Sequence, residues 1–456
     1  MQNNAMINFQ REVPIRHEVD IFVAGGGPAG CAAAVMAARQ GASVFLAEGH
    51  SCFGGMGTAG MVPVFMQFGD GINFLSAGFG EELLDKMINA GGTYAPTGAD
   101  NTGFGGDRTG CYPIHAEVLK RVYDEMVQDA GVEFSFHTNL IGVEVENGTV
   151  KTAILWGKSG IFGVKAKVFI DCTGDGDLST WAGAPFEKGD AEGGMMPGTL
   201  CSLWTDVDFD AVSNSEIGYA QNIFIEKAYQ DGVMTYCDKH LPGMFYIAPG
   251  IGGGNIGHTF GVDNTDERSV TKALLWGRKM LLEYERYYKE YLTGYEKMRL
   301  VSTGSLLGIR ETRRIMGDYM LCLDDFKGRS SFEDEIGRYC YPVDIHVSRP
   351  NDEGEYQRFA KEFAEMRYKK GESYGIPYRT LTPRGLNNVL VAGRSISTDR
   401  FLQGSIRVMP GCYITGQAAG IAATMAANTD HNVHTVNVPE LQQKLLKAGA
   451  MLPNSK

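Results

Sequence analysis

The sequence lacks three features that would each indicate a particular class of protein: long apolar runs, closely paired cysteines and an excess of positive charge. No apolar run approaches the roughly 20 residues that cross a bilayer, and the first residues contain no apolar signal core. The nine cysteines include no C-x-x-C pair, so neither a zinc knuckle nor a dithiol redox motif is indicated. The net charge of −12 disfavours nucleic acid or an anionic membrane as the main partner. We therefore expect a cytoplasmic globular protein with no membrane span, no nucleic-acid partner and no metal site.

Glycine, in contrast, is abundant, with 60 residues in 456, about twice its average usage. Gly25, Gly27 and Gly30 form a G-x-G-x-x-G motif between an apolar, strand-like run and an alanine-rich, helix-like run. Glu48 ends the next strand-like run, 18 residues after Gly30, close to the spacing that is typical of a dinucleotide-binding βαβ unit. This context predicts a Rossmann unit.

The physical roles of these residues support that prediction. Gly25 permits the tight turn, Gly27 lets the backbone approach a diphosphate, and Gly30 allows helix and strand to pack closely. The start of the helix offers unpaired N–H groups and a partial positive charge to the diphosphate. Glu48 would accept hydrogen bonds from ribose hydroxyls and repel a 2′-phosphate, which disfavours NADP. Two further matches to the glycine pattern, at 55–60 and 252–257, have no helix-like run after them, and we expect no dinucleotide there.

The rest of the chain divides by character. Strand-like runs continue to residue 170, and Asn147-Gly148 is typical of a two-residue hairpin turn. From about 185 to 382 aromatic residues and methionines become frequent, the βα alternation is lost, and a long helical pattern covers 266–291. A short strand and an alanine- and glycine-rich helix (411–427) then restore the α/β pattern. We therefore expect a second domain inserted between Rossmann segments.

Several separated motifs, taken in order, resemble the FAD-dependent oxidoreductase family. The resemblance is to members with a glutathione-reductase-type FAD domain, and to a bacterial branch distantly related to fumarate-reductase-type flavoproteins. The motifs that carry it are at 25–48, 52–55, 169–177, 308–315, 341–346, 374–379, 391–397 and 403–412.

The resemblance implies an α/β fold and FAD as the cofactor. A discontinuous Rossmann-type FAD-binding domain would comprise 18–60, 113–185 and 383–430. An α+β substrate or cap domain would comprise 61–112 and 186–382. The C-terminal tail, 431–456, would pack on the FAD domain.

The same resemblance implies which residues contact FAD. The main chain at Leu140 would face the adenine, and the helix that starts near Cys412 would direct its N-terminal dipole at the flavin. Arg394 departs from the aspartate that many related flavoproteins carry after the glycine equivalent to Gly393. For Cys412, a buried structural thiol is favoured over a reactive one. The expected cofactor-binding residues are Gly25, Gly27, Pro28, Ala29, Gly30, Glu48, Gly54, Gly55, Leu140, Thr173, Gly174, Asp175, Gly393, Arg394, Gly404, Ser405, Arg407, Gly411 and Cys412.

Candidate catalytic residues are a set of proton carriers and anion binders. His258, His346 and Tyr378 could handle a proton, although a structural role is an equal alternative for each histidine. Asp344 precedes His346 by two residues, so on a strand it could orient the imidazole.

The candidate anion binders are arginines. Arg310, Arg313 and Arg314 have helical spacing and could share a face, as an anion clamp or as ion-pair partners of acids such as Glu311. Arg379 lies in an aromatic turn just before the chain re-enters the FAD domain, which favours a domain-interface site.

The function predicted from these features is hydride transfer between a small organic substrate and N5 of the flavin. The substrate could be anionic, and the electron acceptor is not identified. Two alternatives remain open: a flavoprotein subunit of an electron-transfer complex, and a protein in which FAD is structural. A homo-oligomer is a further open possibility.

Overall fold

The computed structural model describes residues 8–94, 107–236, 238, 243–350 and 353–454. The strands are β1 (Ile15–Ala24), β2 (Val44–Ala47), β3 (Val64–Phe65), β4 (Tyr112–Pro113), β5 (Glu133–Ser135), β6 (Asn139–Glu146), β7 (Thr149–Gly157), β8 (Gly160–Asp171), β9 (Phe186–Lys188), β10 (Ser202–Thr205), β11 (Gly243–Ala248), β12 (Ile251–Asn255), β13 (Arg299–Thr303), β14 (Arg313–Ile315), β15 (Glu335–Tyr339), β16 (Tyr374–Pro377) and β17 (Val389–Val391). The helices are α1 (Pro28–Arg39), α2 (Phe79–Asn89), α3 (Ala116–Asp129), α4 (Asp177–Trp181), α5 (Phe209–Asn214), α6 (Ile225–Gln230), α7 (Glu267–Tyr291), α8 (Leu323–Gly328), α9 (Glu353–Glu365), α10 (Arg400–Ile406), α11 (Met409–Ala427) and α12 (Val438–Lys447).

A seven-stranded sheet forms the centre of the molecule. Its order is β5-β2-β1-β8-β7-β6, and β17 also pairs with β8. The pairs among β5, β2, β1, β8 and β17 are parallel, whereas β8, β7 and β6 pair antiparallel. The central strands are apolar on both faces, as expected where helices cover a parallel sheet. The predicted α/β fold with a Rossmann-like core is confirmed.

The hairpin predicted at Asn147-Gly148 is also confirmed. Glu146 of β6 pairs with Thr149 of β7, which leaves two residues for the turn. Both turn residues have positive φ angles, 49° at Asn147 and 73° at Gly148. A two-residue turn of this kind matches the twist of the strands that it joins.

Buried apolar residues form two clusters. The larger covers both faces of the main sheet, and the C-terminal residues Leu441, Leu445 and Leu452 belong to it. The smaller takes all its members from 200–309 and packs α7 with its tyrosines beside a second sheet of order β11-β12-β10-β13. Buried residues between 315 and 381 belong to the larger cluster. This packing favours a smaller second unit than the predicted 61–112 and 186–382, a division that stays a prediction.

Helices α1 and α11 meet backbone to backbone on the main sheet. A Cβ atom at Gly416 would lie 2.3 Å from the carbonyl oxygen of Ala29, and one at Gly420 would lie 2.2 Å from that of Ala33. Contacts this close require glycine on one helix and small residues on the other. The alanine- and glycine-rich composition of both helices therefore follows from their packing.

We expect Gly420→Ala to destabilise the protein by about 1–3 kcal/mol, because the added methyl group has no room beside Ala33. Urea unfolding followed by circular dichroism would measure the change in midpoint. Gly142→Ala is the matched control, since the nearest atom to its new Cβ would be 3.9 Å away. Equal midpoints for the two variants would contradict this account of the helix pair.

Among the described residues, no helix combines the length and apolar character that crossing a membrane requires.

Candidate active site

A cleft of about 1120 Å³ lies between the main sheet and the second sheet. On one side it is lined by residues that follow the carboxyl ends of β1, β2 and β8. On the other it is lined by residues of β11 and β12 and by 306–310. Open parallel sheets bind ligands at the carboxyl ends of their strands, so this position is typical of a cofactor site.

The first glycine motif forms one end of the cleft. Gly25 has a φ of 95°, and a Cβ there would lie 2.6 Å from the carbonyl oxygen of Cys172. Gly30 packs against Gly25, as predicted, since its Cβ would lie 1.8 Å from the Gly25 oxygen. At Gly27, in contrast, a Cβ would meet nothing within 4 Å. Gly27 is also the N-cap of α1 and has no side-chain cap, so the first amides of the helix remain available to a ligand.

Glu48 lies beside this helix start and is buried. Its carboxylate accepts hydrogen bonds from the backbone N–H of Gly26 at 2.7 Å and of His50 at 2.8 Å. These two bonds fix the carboxylate at the cleft wall. Leu140, the predicted adenine contact, lines the same end.

Asp175 forms a polar junction in the middle of the cleft. Its carboxylate accepts hydrogen bonds from Thr312 (2.7 Å), Asn264 (2.7 Å) and Arg394 (2.8 Å). Arg394, which stands where many related flavoproteins have an aspartate, follows β17 and is held in place by Asp175, which follows β8. Burial and the neighbouring Asp175 raise the pKa of Asp177 to about 6.

The start of α11 lies at the far end of the main-sheet wall. Val408, Met409 and Cys412 line the cleft there, together with Gly393. Burial raises the pKa of the Cys412 thiol to about 12, and the thiol donates a hydrogen bond to the Arg407 carbonyl oxygen at 3.2 Å. These contacts favour the structural reading of Cys412.

The opposite wall presents a buried guanidinium. Arg310 lines the cleft and donates from Nη1 to the Pro197 carbonyl oxygen and to Thr199 Oγ1, each at 2.9 Å. No carboxylate of the described residues lies within 4.0 Å of its nitrogens. Burial and the nearby Arg407 lower the pKa of Arg310 to about 10, which leaves it charged at neutral pH.

Two histidines connect this wall to the interior. His258 Nε2 lies 3.0 Å from His346 Nδ1. His258 Nδ1 lies 3.1 Å from Asp238 Oδ2, and His346 Nε2 lies 3.3 Å from Asp344 Oδ1. Asp344 also pairs with Arg407 at 2.8 Å. His346 and Asp344 line the cleft, whereas His258 lies behind them. The predicted Asp344–His346 pairing therefore occurs, although residues 341–347 do not form a strand.

The structure does not bring Tyr378 and Arg379 to the cleft, which corrects their predicted placement. The Tyr378 hydroxyl is buried and donates to the Val433 carbonyl oxygen at 2.7 Å. Arg379 is half-exposed and pairs with Asp334 at 2.9 Å. The aromatic turn that suggested an interface instead packs against the C-terminal part of the chain.

Five of the expected cofactor-binding residues lie behind the cleft wall rather than on it: Gly30, Gly54, Gly404, Ser405 and Gly411. Most of these glycines permit close backbone contacts, as at Gly404, whose Cβ would lie 2.8 Å from the Asp344 carbonyl oxygen. Ser405 donates to the Tyr341 carbonyl oxygen. The remaining residues of the predicted set line the cleft.

The helical face predicted for Arg310, Arg313 and Arg314 is wrong, because Arg313–Ile315 is a strand that pairs with β9. Extended backbone sends neighbouring side chains in different directions. Of the three, only Arg310 lines the cleft, whereas Arg313 pairs with Asp177 at 2.6 Å and Arg314 with Glu311 at 2.7 Å.

Sequence reasoning missed Asp238, the buried carboxylate that contacts His258 through both its backbone N–H and its ring. No motif or spacing rule links these two residues, which lie 20 positions apart on either side of the β11–β12 hairpin. The apolar lining that β11 contributes, Met244, Phe245 and Tyr246, was also missed.

The donor set of the cleft fits FAD. The open backbone at Gly27, the uncapped amides of α1 and the carboxylate of Glu48 suit a diphosphate and a ribose. At the other end, the Nε atoms of Arg394 and Arg407 are buried without a hydrogen-bond partner among the described residues, so two donors remain for a bound group.

Comparison with known proteins agrees with this geometry. Residues 20–445 match the family described as FAD dependent oxidoreductase. A digeranylgeranylglycerophospholipid reductase of Methanosphaerula palustris is 26% identical over 230 residues, which are 47% of this chain and 52% of that protein. The chain thus spans about half the length of this curated relative.

Two solved structures align with most of this chain. A geranylgeranyl bacteriochlorophyll reductase-like protein of Thermoplasma acidophilum aligns with a TM-score of 0.47 at 14% identity, over 94% of this chain and 83% of its own. A p-nitrophenol 4-monooxygenase of Pseudomonas putida aligns with a TM-score of 0.43 at 12% identity, over 95% and 89%. The family match across most of the sequence shows that this chain belongs to the FAD-dependent oxidoreductases, with FAD as its cofactor.

Proposed function

We propose that this enzyme transfers a hydride between a small anionic substrate and N5 of the flavin. Bound FAD supplies the site that accepts or donates the hydride. The observation that carries the proposal is the continuity of one cleft, from the open backbone at Gly27 to the buried polar groups Arg310 and His346. A substrate at the second end would lie against the cofactor and away from bulk water.

The charge distribution at this end supports an anionic substrate. Arg310 is buried and charged, and its hydrogen bonds to Pro197 and Thr199 go to neutral oxygens. A buried guanidinium that has no carboxylate within 4.0 Å among the described residues is costly, and a substrate carboxylate or phosphate would offset that cost. The two bonds from Nη1 also hold the planar group in one orientation, which suits bidentate binding.

His346 is the proposed proton carrier. It lines the cleft within reach of Asp344, and its other ring nitrogen contacts His258. Hydride transfer to or from a carbon that bears oxygen, or to a carbon–carbon double bond, requires a proton to move as well. The contacts at both nitrogens hold the ring in one orientation, and Nε2, beside Asp344, is the atom that would exchange this proton with the substrate.

The test is the visible spectrum of the purified protein before and after anaerobic mixing with a panel of metabolites. The panel pairs each carboxylate or phosphate with its neutral amide or alcohol analogue. We expect flavin bands that bleach with an anionic compound and persist with its neutral analogue. A colourless protein that takes up no added FAD would contradict the proposal, and bleaching by neutral compounds alone would contradict the anionic part.

The same experiment separates the alternatives. A flavin that no compound reduces, in a protein that co-purifies with an iron–sulfur partner, would favour the electron-transfer subunit. A flavin that neither compounds nor such a partner reduce would favour a structural cofactor.

A further inference from the structure

His258 and His346 lie in one row of polar contacts between two carboxylates. Hydrogen bonds join Asp238 Oδ1 to His258 Nδ1 at 3.2 Å and His258 Nε2 to His346 Nδ1 at 3.0 Å, and His346 Nε2 lies at an ion-pair distance of 3.3 Å from Asp344 Oδ1. Asp238 and both rings are buried, and Asp238 also accepts the backbone N–H of His258 at 3.0 Å. Every ring nitrogen of the pair therefore faces a nitrogen or oxygen of a neighbour.

The number of protons in this chain follows from its donors and acceptors. A neutral imidazole carries one N–H and one bare nitrogen, and a carboxylate can only accept. The hydrogen bond to Asp238 needs a proton on His258, and the hydrogen bond between the rings needs a second proton. An ionised oxygen of Asp344 at 3.3 Å would repel a bare nitrogen of His346, so this contact needs a third proton. Two neutral rings supply only two protons. Counted over these three contacts of the described residues, the chain therefore holds one more proton than two neutral histidines carry.

The surrounding charges indicate where the additional proton resides. Burial alone would raise the pKa of Asp344, but His346, Arg407 and Arg310 together hold it well below its usual range, so Asp344 stays ionised. Burial lowers the pKa of His258, which disfavours a charge on that ring. The positive charge thus belongs mainly to His346, at the cleft. Among the residues that the structure describes, the charged and titratable groups around the pair include Asp238, Asp344, Arg310, Arg407, Tyr284 and Tyr341.

We propose that His258 and His346 act as a dyad that stores one proton in common, which His346 exchanges with the substrate while His258 and Asp238 act as positioning residues. The role toward substrate rests on the proposed function, whereas the proton count does not. In the reducing direction, a substrate double bond gains a hydride from reduced FAD at one atom and the Nε2 proton of His346 at the other. The N–H bond breaks, and the dyad changes from a cation to two neutral rings. In the oxidising direction each transfer is reversed.

This arrangement has a defined pH dependence. Reduction of the substrate needs the charged dyad, so its rate is expected to be highest at low pH and to fall as the dyad loses its proton. Oxidation of the substrate needs the neutral dyad, so its rate should rise as the pH rises. Asp238→Asn turns the acceptor at the buried end into a group that can also donate, so the third proton is no longer required. The pH at which the rate of substrate reduction falls should then move by about one unit or more toward lower pH.

The decisive measurement is the side-chain nitrogen NMR spectrum of the FAD-loaded protein labelled with ¹⁵N-histidine. At pH 7 we expect one ring of the dyad to be protonated at both nitrogens and the other at one, although free histidine, with a pKa near 6.5, would be mostly neutral. Removing either partner, in His258→Gln or His346→Gln, should shift the signals of the remaining ring. His434→Gln is the matched control, since His434 also pairs with an aspartate, at 2.6 Å, but should affect only its own signals.

The outcomes are distinct. Two neutral rings in the wild-type spectrum at pH 7, or two rings that titrate independently, would overturn the shared proton even if a variant fails to fold. If Asp238→Asn does not change the pH at which the rate of substrate reduction falls, the positioning role of Asp238 is overturned. Because the nitrogen spectrum needs no substrate, the dyad can fail while the flavin still bleaches, and the hydride-transfer proposal would then survive.

Discussion

Gly27→Val is expected to give a folded protein that no longer retains FAD. A Cβ at Gly27 meets no protein atom within 4 Å, and the φ of −70° suits an L-residue, so the fold should tolerate the side chain. The isopropyl group would instead occupy the space in front of the α1 amides, where the diphosphate is expected to bind. We expect FAD affinity to fall by a hundredfold or more, equivalent to about 2.7 kcal/mol. Flavin content after purification and fluorescence titration of the apoprotein with FAD would measure it.

Two comparisons sharpen this experiment. Ala38→Val places the same side chain at the other end of α1 and should leave FAD affinity unchanged. Gly30→Ala should act differently from Gly27→Val, because its Cβ would lie 1.8 Å from a backbone oxygen and the loss would appear in the unfolding midpoint. A Gly27→Val protein that stays yellow with unchanged FAD affinity would show that the diphosphate does not bind at this turn.

Arg310→Gln should produce the second large effect, this time on the substrate. Removing one partner of a buried charge pair leaves the other uncompensated, at a cost of about 2–5 kcal/mol, or about 30- to 4000-fold in kcat/KM. The measurement is anaerobic reduction kinetics with whichever anionic compound bleaches the flavin. FAD content should not change, because Arg310 lies on the wall of the cleft opposite the main sheet.

Arg379→Gln is the control for this variant, since Arg379 pairs with Asp334 outside the cleft and should be dispensable for turnover. Unchanged kcat/KM for Arg310→Gln would contradict the proposal that Arg310 binds the anionic group of the substrate. An equal loss with the neutral analogue of the substrate would assign Arg310 a role other than charge recognition.

The cofactor half of the site was largely predictable from the sequence because its parts are local. The turn at Gly25, the open backbone at Gly27 and the acid at Glu48 belong to one βαβ unit, in which strand, turn and helix each have a recognisable pattern. Spacing along the chain then translates directly into geometry. Gly404 and Gly411 were predicted to contact FAD but lie behind the cleft wall. The sequence does not distinguish a glycine that makes room for a ligand from one that makes room for a neighbouring backbone.

The substrate half was much less predictable because its members come from distant segments. Asp238 and His258 flank the β11–β12 hairpin, and His346 comes from a segment 88 residues after His258, a meeting that no short pattern encodes. The spacing of Arg310, Arg313 and Arg314 fits a helix, yet pairing with β9 forces an extended backbone on Arg313 and Arg314. Tertiary pairing therefore overrode the local periodicity.

The direct contact between α1 and α11 has a consequence for how enzymes of this architecture can diverge. The two helix starts expected to face opposite ends of FAD are joined through Gly416 and Gly420, without any contribution from the second sheet. The contact that joins these two helix starts thus contains none of the residues that would choose the substrate. New specificities can arise by changes at Arg310 or in β11 while the redox centre stays where it is.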